Sequence, residues 1–476
     1  MNKINFSNSK FSIGIKQLWL DLQAHRLKAL LALACSLTTV WIGYAYANQG
    51  GILGWQFWTW LACVVFIISI FFTCSTAPSK LDLLIMLGLL ASALLIRVPF
   101  LGSIPGLFHI DESGVASFAR DNLFGDPIFI MNPFITGPSS QPALHHYILY
   151  YTMKIFGFTV AGLRVSSAIA GALGVVVTYL MVKSISGRRI AILSAIMMAV
   201  YHFSIHYSRV GLNNIWDTLW VPLVVYGFVK GWKERWTGGA VLSGFALGIS
   251  QYFYLGSKIG VFLLILLVIT LWKENGNTSQ KMGFLGIIGL VALCVAGPII
   301  LFAITNPTAY LDRTNQVWGW KPEALLAIIG IVDYWKFFWH QVLYSLGTYT
   351  IYPDPSGFYG PTIPLVFGPA AILFIAGIVI AIVRKNWIPM AWLLLTSFFG
   401  GFLIGVANGS PHYVVAIPAI CWLIGLAIDW IWKSGYGKIA VFLLVALVAI
   451  DLYFYFVVYV GMPPRDFTIP FPPPLN

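Results

Sequence analysis

A chain of 476 residues that is 59% hydrophobic and only 9% charged is excluded from the water-soluble globular class, in which about a quarter of residues carry charge. Its formal charge of +12 reads as a topological signal rather than a nucleic-acid-binding surface, because the basic residues gather in short loops between apolar runs. The expected architecture is an all-α polytopic membrane protein.

In chain order, the segment before the first apolar run is weakly basic and amphipathic, with Lys3, Lys10, Lys16, Arg26 and Lys28; it is expected to lie on the inner membrane surface. The run from Leu27 to Ala47 is long enough to span and lacks a small-residue cleavage site, so it reads as a permanent helix. At roughly 20 apolar residues per crossing, about thirteen spans are expected, near 28–46, 53–73, 82–97, 160–182, 190–207, 214–229, 237–254, 259–272, 283–304, 365–383, 387–406, 411–432 and 438–460. With the N-terminus inside, the inner loops carry Lys80, then Lys183 with Arg188 and Arg189, then Lys230, Lys233 and Arg235, then Lys273 and Lys281, then Arg384 and Lys385, then Lys433 and Lys438. Every compact basic cluster thus falls on one side, the positive-inside pattern. Cys35, Cys63, Cys74, Cys294 and Cys421 sit in or at the end of apolar runs without metal-ligand spacing, and read as small buried hydrophobes.

Two outer segments, 100–159 and 305–364, are too long for plain connectors, and loops of that length tend to be functional. Helical stretches are expected at Ser113 to Leu123, at Gln141 to Phe156 and at Pro322 to Tyr344, the last resting at the membrane interface through Trp335, Phe337, Phe338 and Trp339. Outer acids are Asp111, Glu112, Asp121, Asp126, Asp312, Glu323, Asp333 and Asp354. The pair Asp111–Glu112 precedes a helix and admits two readings: first-turn charges facing a positive dipole end, or a general base with a supporting acid. Arg209, Lys258 and Arg164 lie in outer turns or at outer helix starts, against the topological bias. They either snorkel to headgroups or bind a phosphate. His202 and His206 have i, i+4 spacing but no third ligand, so no metal site is assigned. His145, His146 and His412 read as polar cavity lining, and Asp451 as an isolated acid deep in the last span.

The order of these pieces resembles a known family. An outer His109–Ile110–Asp111–Glu112 is followed by Ala119–Arg120, then Gln141–Pro142–Ala143–Leu144–His145, Gly157, Leu163–Arg164, and Ser208–Arg209 before another span. This is similar to the polyprenol-phosphate-dependent glycosyltransferases of the GT-C fold, in the branch of protein O-mannosyltransferases and aminoarabinose transferases. The resemblance covers roughly residues 80 to 460. It implies that Asp111 is the catalytic centre, with Glu112 beside it, and that Arg209 and Lys258 contact the lipid phosphate; Arg164 is a further candidate for binding phosphate or substrate. Lys258 stands where an arginine is commoner, and His412–Tyr413 resembles an Arg-Tyr pair with its cation altered. Where many relatives carry an aspartate five residues after the arginine of Ser-Arg, this chain has Asn214, with Asp217 nearby. A divalent metal at a second acidic site therefore lacks its usual ligand, and no cofactor is implied.

The expected organisation is two additional spans in 1–80, a transferase unit in 81–460 and a Pro-rich outer tail in 461–476. The expected partners are a polyprenyl-phosphate-linked sugar donor, membrane lipids, and an acceptor hydroxyl on a protein, lipid or glycan. The sugar is a hexose or pentose, moved with inversion on the outer face of the cell membrane. Rival readings are a lipid-linked-sugar flippase or transporter, which would need polar midplane groups and broken helices, and a non-catalytic membrane assembly partner.

Overall fold

A computed structural model describes residues 9–47, 55–74, 78–106, 108–119, 133–136, 141–273, 277–360 and 363–462. Asp121, Asp126 and the Pro-rich tail from 463 onward lie outside the described residues. The described chain is helical, with only two isolated β-bridges. Its helices are α1 (Ser9–Ala47), α2 (Trp55–Phe71), α3 (Lys80–Arg97), α4 (Ile110–Ala119), α5 (Leu144–Phe156), α6 (Val160–Ser186), α7 (Arg188–Val200), α8 (His202–Ser208), α9 (Asp217–Glu234) and α10 (Thr237–Ile249). They continue with α11 (Ile259–Leu271), α12 (Thr278–Thr305), α13 (Pro307–Val317), α14 (Pro322–Ile329), α15 (Tyr334–Gly347), α16 (Gly368–Val383), α17 (Trp387–Ser397), α18 (Ile417–Lys433) and α19 (Gly437–Tyr453).

A helix overlaps each expected span, with boundaries shifted by a few residues. By length and composition alone, five helices could cross a bilayer, or six when the bent pair α7–α8 is taken as one span; α2 and α16 are shorter apolar helices. The outward faces carry large apolar side chains, such as Leu95, Ile372, Val383 and Phe442. In water such a surface would associate; in hydrocarbon it is the solvated one. All five cysteines are free.

Several boundaries differ from the sequence expectation. The span near 190–207 is bent by 59° between α7 and α8. The cause is visible: the buried Arg97 guanidinium donates to the carbonyls of Met198 (3.1 Å) and Ala199 (2.8 Å) at the end of α7 and to Ser204 Oγ (2.9 Å) in α8. The expected helix from Pro322 to Tyr344 is two helices, because Gly330 ends α14 at φ 73° and Asp333 caps α15 by accepting from the amides of Trp335 and Lys336. A preceding helix, α13, opens on Pro307, a residue suited to a first helical turn. The N-terminal helix α1 runs unbroken from Ser9 to Ala47, rather than as a separate surface segment followed by a span.

The ends of the bundle are fastened by ions. At one end Asp82 bonds Lys183 (2.7 Å), Arg188 (3.1 Å) and the Tyr179 hydroxyl (2.7 Å), while Asp429 bonds Arg189 (2.5 Å), Lys433 (3.2 Å) and Arg384 (3.7 Å). Neighbouring Arg188 and Arg189 thus reach to different helices, α3 and α18. At the other end Arg164 bonds Glu112. Arg164 and Lys183 both sit on α6, about 28 Å apart at 1.5 Å per residue, close to the roughly 30 Å of a hydrocarbon core. The basic loops and the Glu112 end therefore lie at opposite ends of the bundle.

The first two helices pack on α12. Ser36 Oγ donates to the Leu290 carbonyl (2.9 Å), Trp60 Nε1 donates to the Val295 carbonyl (2.9 Å), and a Cβ on Gly43 would stand 2.8 Å from Pro298.

Candidate active site

The segment after α3 enters α4 with Asp111 and Glu112 in its first turn. His109 shapes this start. Its Nδ1 accepts the Asp111 amide (3.1 Å), and its ring stacks on Phe358 with centroids 4.1 Å apart. Burial lowers the His109 pKa, partly opposed by the two adjacent carboxylates.

The two acids then diverge. Glu112 is fully buried. Its oxygens accept from Arg164 Nε (2.8 Å) and Nη2 (2.9 Å), and from the amides of Gly211 (2.7 Å) and His109 (3.3 Å). Every lone pair of this carboxylate faces a donor within the protein. Asp111, by contrast, lines a cavity of about 110 Å³ with Gln141, His145, Asn213, Tyr254, Arg313 and His412. His146, Asn214, Phe358 and Pro411 complete much of the wall. The Nε2 of His145 and the Nδ1 of His146 are buried without a hydrogen-bond partner. Burial drives the His145 pKa well below its ordinary value, helped by His146, and lowers that of His146 to about 4. Both rings are therefore neutral near pH 7. They offer hydrogen bonds to a neutral polar ligand rather than charge to an anion.

A second cavity, of about 240 Å³, abuts the first. Its lining is mainly apolar: Leu255, Ile259, Phe262, Trp318, Phe399 and Val415, with Lys258 and His412 as the charged or titratable members. His412 belongs to both cavities. Its Nδ1 is hydrogen-bonded to the Tyr254 hydroxyl (2.7 Å), and the two rings stack. Lys258 Nζ donates to the Tyr310 hydroxyl (2.9 Å) and lies 4.6 Å from that ring's centre.

The structure thus brings Asp111, His412 and Lys258 to two neighbouring cavities that share His412 in their walls. It does not bring Arg164, Arg209, Glu112 or Tyr413 there. Arg164 is taken up by Glu112 and the carbonyls of Leu101 and Pro105. Arg209 is fully buried and donates to the carbonyls of Ile96, Arg97, Pro99 and Ile104, closing the C-terminal end of α3, where free carbonyls attract a cation. Tyr413 donates to the carbonyls of Ser345 and Ala407. His202 and His206 are likewise committed, to the Tyr359 hydroxyl and the Phe358 carbonyl. Asp217 is buried beside Gly256, its oxygens in no well-formed hydrogen bond, and lines neither cavity.

The sequence reading missed Arg313. It sits on α13, which that reading did not contain, yet the signal existed: a cation in an outer segment, the same anomaly that singled out Lys258.

Residues 140–302 match the family model described as dolichyl-phosphate-mannose-protein mannosyltransferase. Over 326 residues the chain is 24% identical to undecaprenyl phosphate-alpha-4-amino-4-deoxy-L-arabinose arabinosyl transferase 1 of Pseudomonas fluorescens, covering 65% of this chain and 53% of that protein. A transferase of the same kind from Pseudomonas aeruginosa is 24% identical over 347 residues, covering 69% and 56%. The chain spans about half the length of these curated relatives. Among solved structures, ArnT from Cupriavidus metallidurans bound to undecaprenyl phosphate aligns with a TM-score of 0.51 at 16% identity, covering 79% of this chain and 71% of that one. The chain has the GT-C fold.

Proposed function

We propose that this chain is a membrane glycosyltransferase that moves a sugar from a polyprenyl-phosphate donor to an acceptor hydroxyl. The observation that carries this reading is a polar cavity holding Asp111 beside an apolar cavity holding Lys258, with His412 in the wall of both. A lipid-linked sugar has the matching anatomy: an apolar chain, a phosphate, then a sugar. The chain would occupy the apolar cavity and the sugar the polar one. The phosphate would then lie beside His412, within reach of Lys258 on one side and Arg313 on the other. The family model and the transferases that the chain resembles support the same class of donor.

In this mechanism Asp111 takes the proton of the acceptor hydroxyl. The oxygen attacks the anomeric carbon from the face opposite the phosphate, the carbon–oxygen bond to the phosphate breaks, and the sugar is inverted. Lys258 and Arg313 stabilise the negative charge gathering on the departing lipid phosphate, with His412 beside them as a hydrogen-bond donor. Holding both substrates in one cleft removes much of the entropic barrier. Gln141, Asn213 and neutral His145 are placed to bond sugar hydroxyls. Arg209, Arg164 and Glu112 take no part in the chemistry; they hold the frame around it.

The basic loops lie at the end of the bundle away from Glu112. With those loops inside, the N-terminus is cytoplasmic and the site faces out. Nucleotide sugars do not reach that side, which accounts for a lipid-carried donor. The acceptor is a protein, lipid or glycan of the cell envelope. Comparing lipid-linked glycans with and without the chain tests the proposal: a polyprenyl-phosphate sugar should accumulate in its absence, and an unchanged lipid-linked pool would overturn it.

Lys258→Ala and His412→Ala should raise the KM for that donor by about tenfold or more, since a hydrogen bond to a charged group contributes roughly 1.5–3 kcal/mol. Steady-state kinetics on the accumulated donor check this.

A further inference from the structure

The second outer segment carries an acid that lines neither cavity yet touches the surroundings of both. Asp354 is buried. Its Oδ1 accepts from the amides of Ser356 (2.9 Å) and Ser410 (3.0 Å), and its Oδ2 from Ser356 Oγ (2.7 Å) and the amide of Gly360 (2.9 Å). Four donors on one carboxylate, three of them backbone amides, fold residues 354–360 into a closed turn and fasten that turn to Ser410.

Both fastened pieces carry cavity walls. The turn presents Phe358, whose ring stacks on His109, and His109 Nδ1 accepts the amide of Asp111. Ser410 immediately precedes Pro411 and His412, which line the polar cavity, His412 lining the apolar one as well. Two further bonds reinforce the joint: Asn408 Nδ2 donates to the Pro353 carbonyl (2.7 Å), and the hydroxyls of Ser356 and Ser410 meet (3.3 Å). From the other side His206 Nε2 bonds the Phe358 carbonyl (2.8 Å).

We infer that Asp354 is a positioning residue that sets the spacing between Asp111 and His412, the two groups placed at opposite ends of the sugar–phosphate bond. The inference rests on the glycosyl-transfer reading of these cavities. Its physical content is that one buried carboxylate bridges two loops that nothing in the covalent chain holds together, residues 354–360 and 408–412. Asp354 itself contacts no substrate. It acts through Phe358 and His109 on one side and through Ser410 on the other.

Asp354→Asn keeps the side chain's shape and one accepting oxygen. Its amide nitrogen cannot accept from the Gly360 amide. The turn should loosen and His412 shift, while the walls of the apolar cavity supplied by α11, α13 and α17 stay in place.

The experiment uses the full chain in detergent, with the lipid-linked sugar that accumulates in cells lacking it, and undecaprenyl phosphate as a binding probe. For Asp354→Asn, kcat should fall about ten- to a hundredfold, the range a misplacement near 1 Å produces, while donor KM and undecaprenyl phosphate affinity weaken by clearly less than the roughly tenfold expected of His412→Ala, because the imidazole is displaced and not removed. Hydrogen exchange should quicken at residues 109–113 and 408–412. Ser356→Ala, which removes only one of the four donors, should show the same split with a smaller fall in kcat. It serves as the readout should Asp354→Asn fold poorly. Unchanged kcat in either folded variant, or equal loss in kcat and in undecaprenyl phosphate affinity, overturns the inference. If the wild-type chain itself turns over no donor, it is the glycosyl-transfer reading that fails; faster exchange at both loops in the variant would still establish the bridge.

Discussion

Asp111→Asn should lower sugar transfer by about 10²–10⁴-fold, the usual contribution of a positioned general base, in a protein that folds normally. The substitution is nearly isosteric, and Asp111's backbone amide, which anchors the start of α4 on His109, is untouched. Asp111 is the only carboxylate among the described residues that line the polar cavity, so no neighbour is placed to take over the proton. The measurement is the initial rate with labelled donor, normalised to folded protein. A variant that transfers at the wild-type rate would remove Asp111 as the base.

Arg164→Ala should act on stability instead. Arg164 and Glu112 are both fully buried and share two hydrogen bonds. Removing one member leaves a buried charge without its partner, which costs roughly 3–5 kcal/mol. That is a large fraction of the roughly 5–15 kcal/mol that separates most folded domains from unfolding. The expected result is a marked loss of folded yield and a lower unfolding midpoint in detergent. Glu112→Ala should behave the same way, because Glu112 also holds the Gly211 and His109 amides. If Glu112 were instead a catalytic acid, its variant would fold at the normal yield and lose only rate. The two neighbouring acids are thus separable: one variant folds and is inactive, the other does not accumulate.

The fold was largely legible because its signals are long and redundant. Helix positions followed from apolar run length, and the GT-C resemblance from the order of pieces such as His109–Asp111–Glu112 and Ser208–Arg209. The aligned structure of ArnT has that fold. The site was less legible, for a specific reason. Arg209, Arg164 and Lys258 look alike in sequence, as cations near outer helix ends, and only the tertiary structure distributes their partners. Arg209 meets the loose carbonyls ending α3 and Arg164 meets Glu112, whereas Lys258 is left facing an apolar cavity. Arg313 escaped notice because α13 is short and polar and therefore has no apolar run to announce it. The break between α7 and α8 was hidden for a similar reason. It is produced by Arg97, an arginine about a hundred residues upstream that captures carbonyls from another helix.

The ion pairs at the two ends of α6 also determine which membranes suit this protein. With Arg164–Glu112 near one end and Lys183–Asp82 near the other, the helix works as a ruler graduated at about 28 Å. A markedly thicker bilayer would draw the partly exposed Lys183 and Arg188 into oil unless the whole bundle leaned, or the lipids around it thinned, at a cost of fractions of a kcal/mol per ångström. Chain length in the host lipids therefore enters as a quiet control on how comfortably the bundle stands.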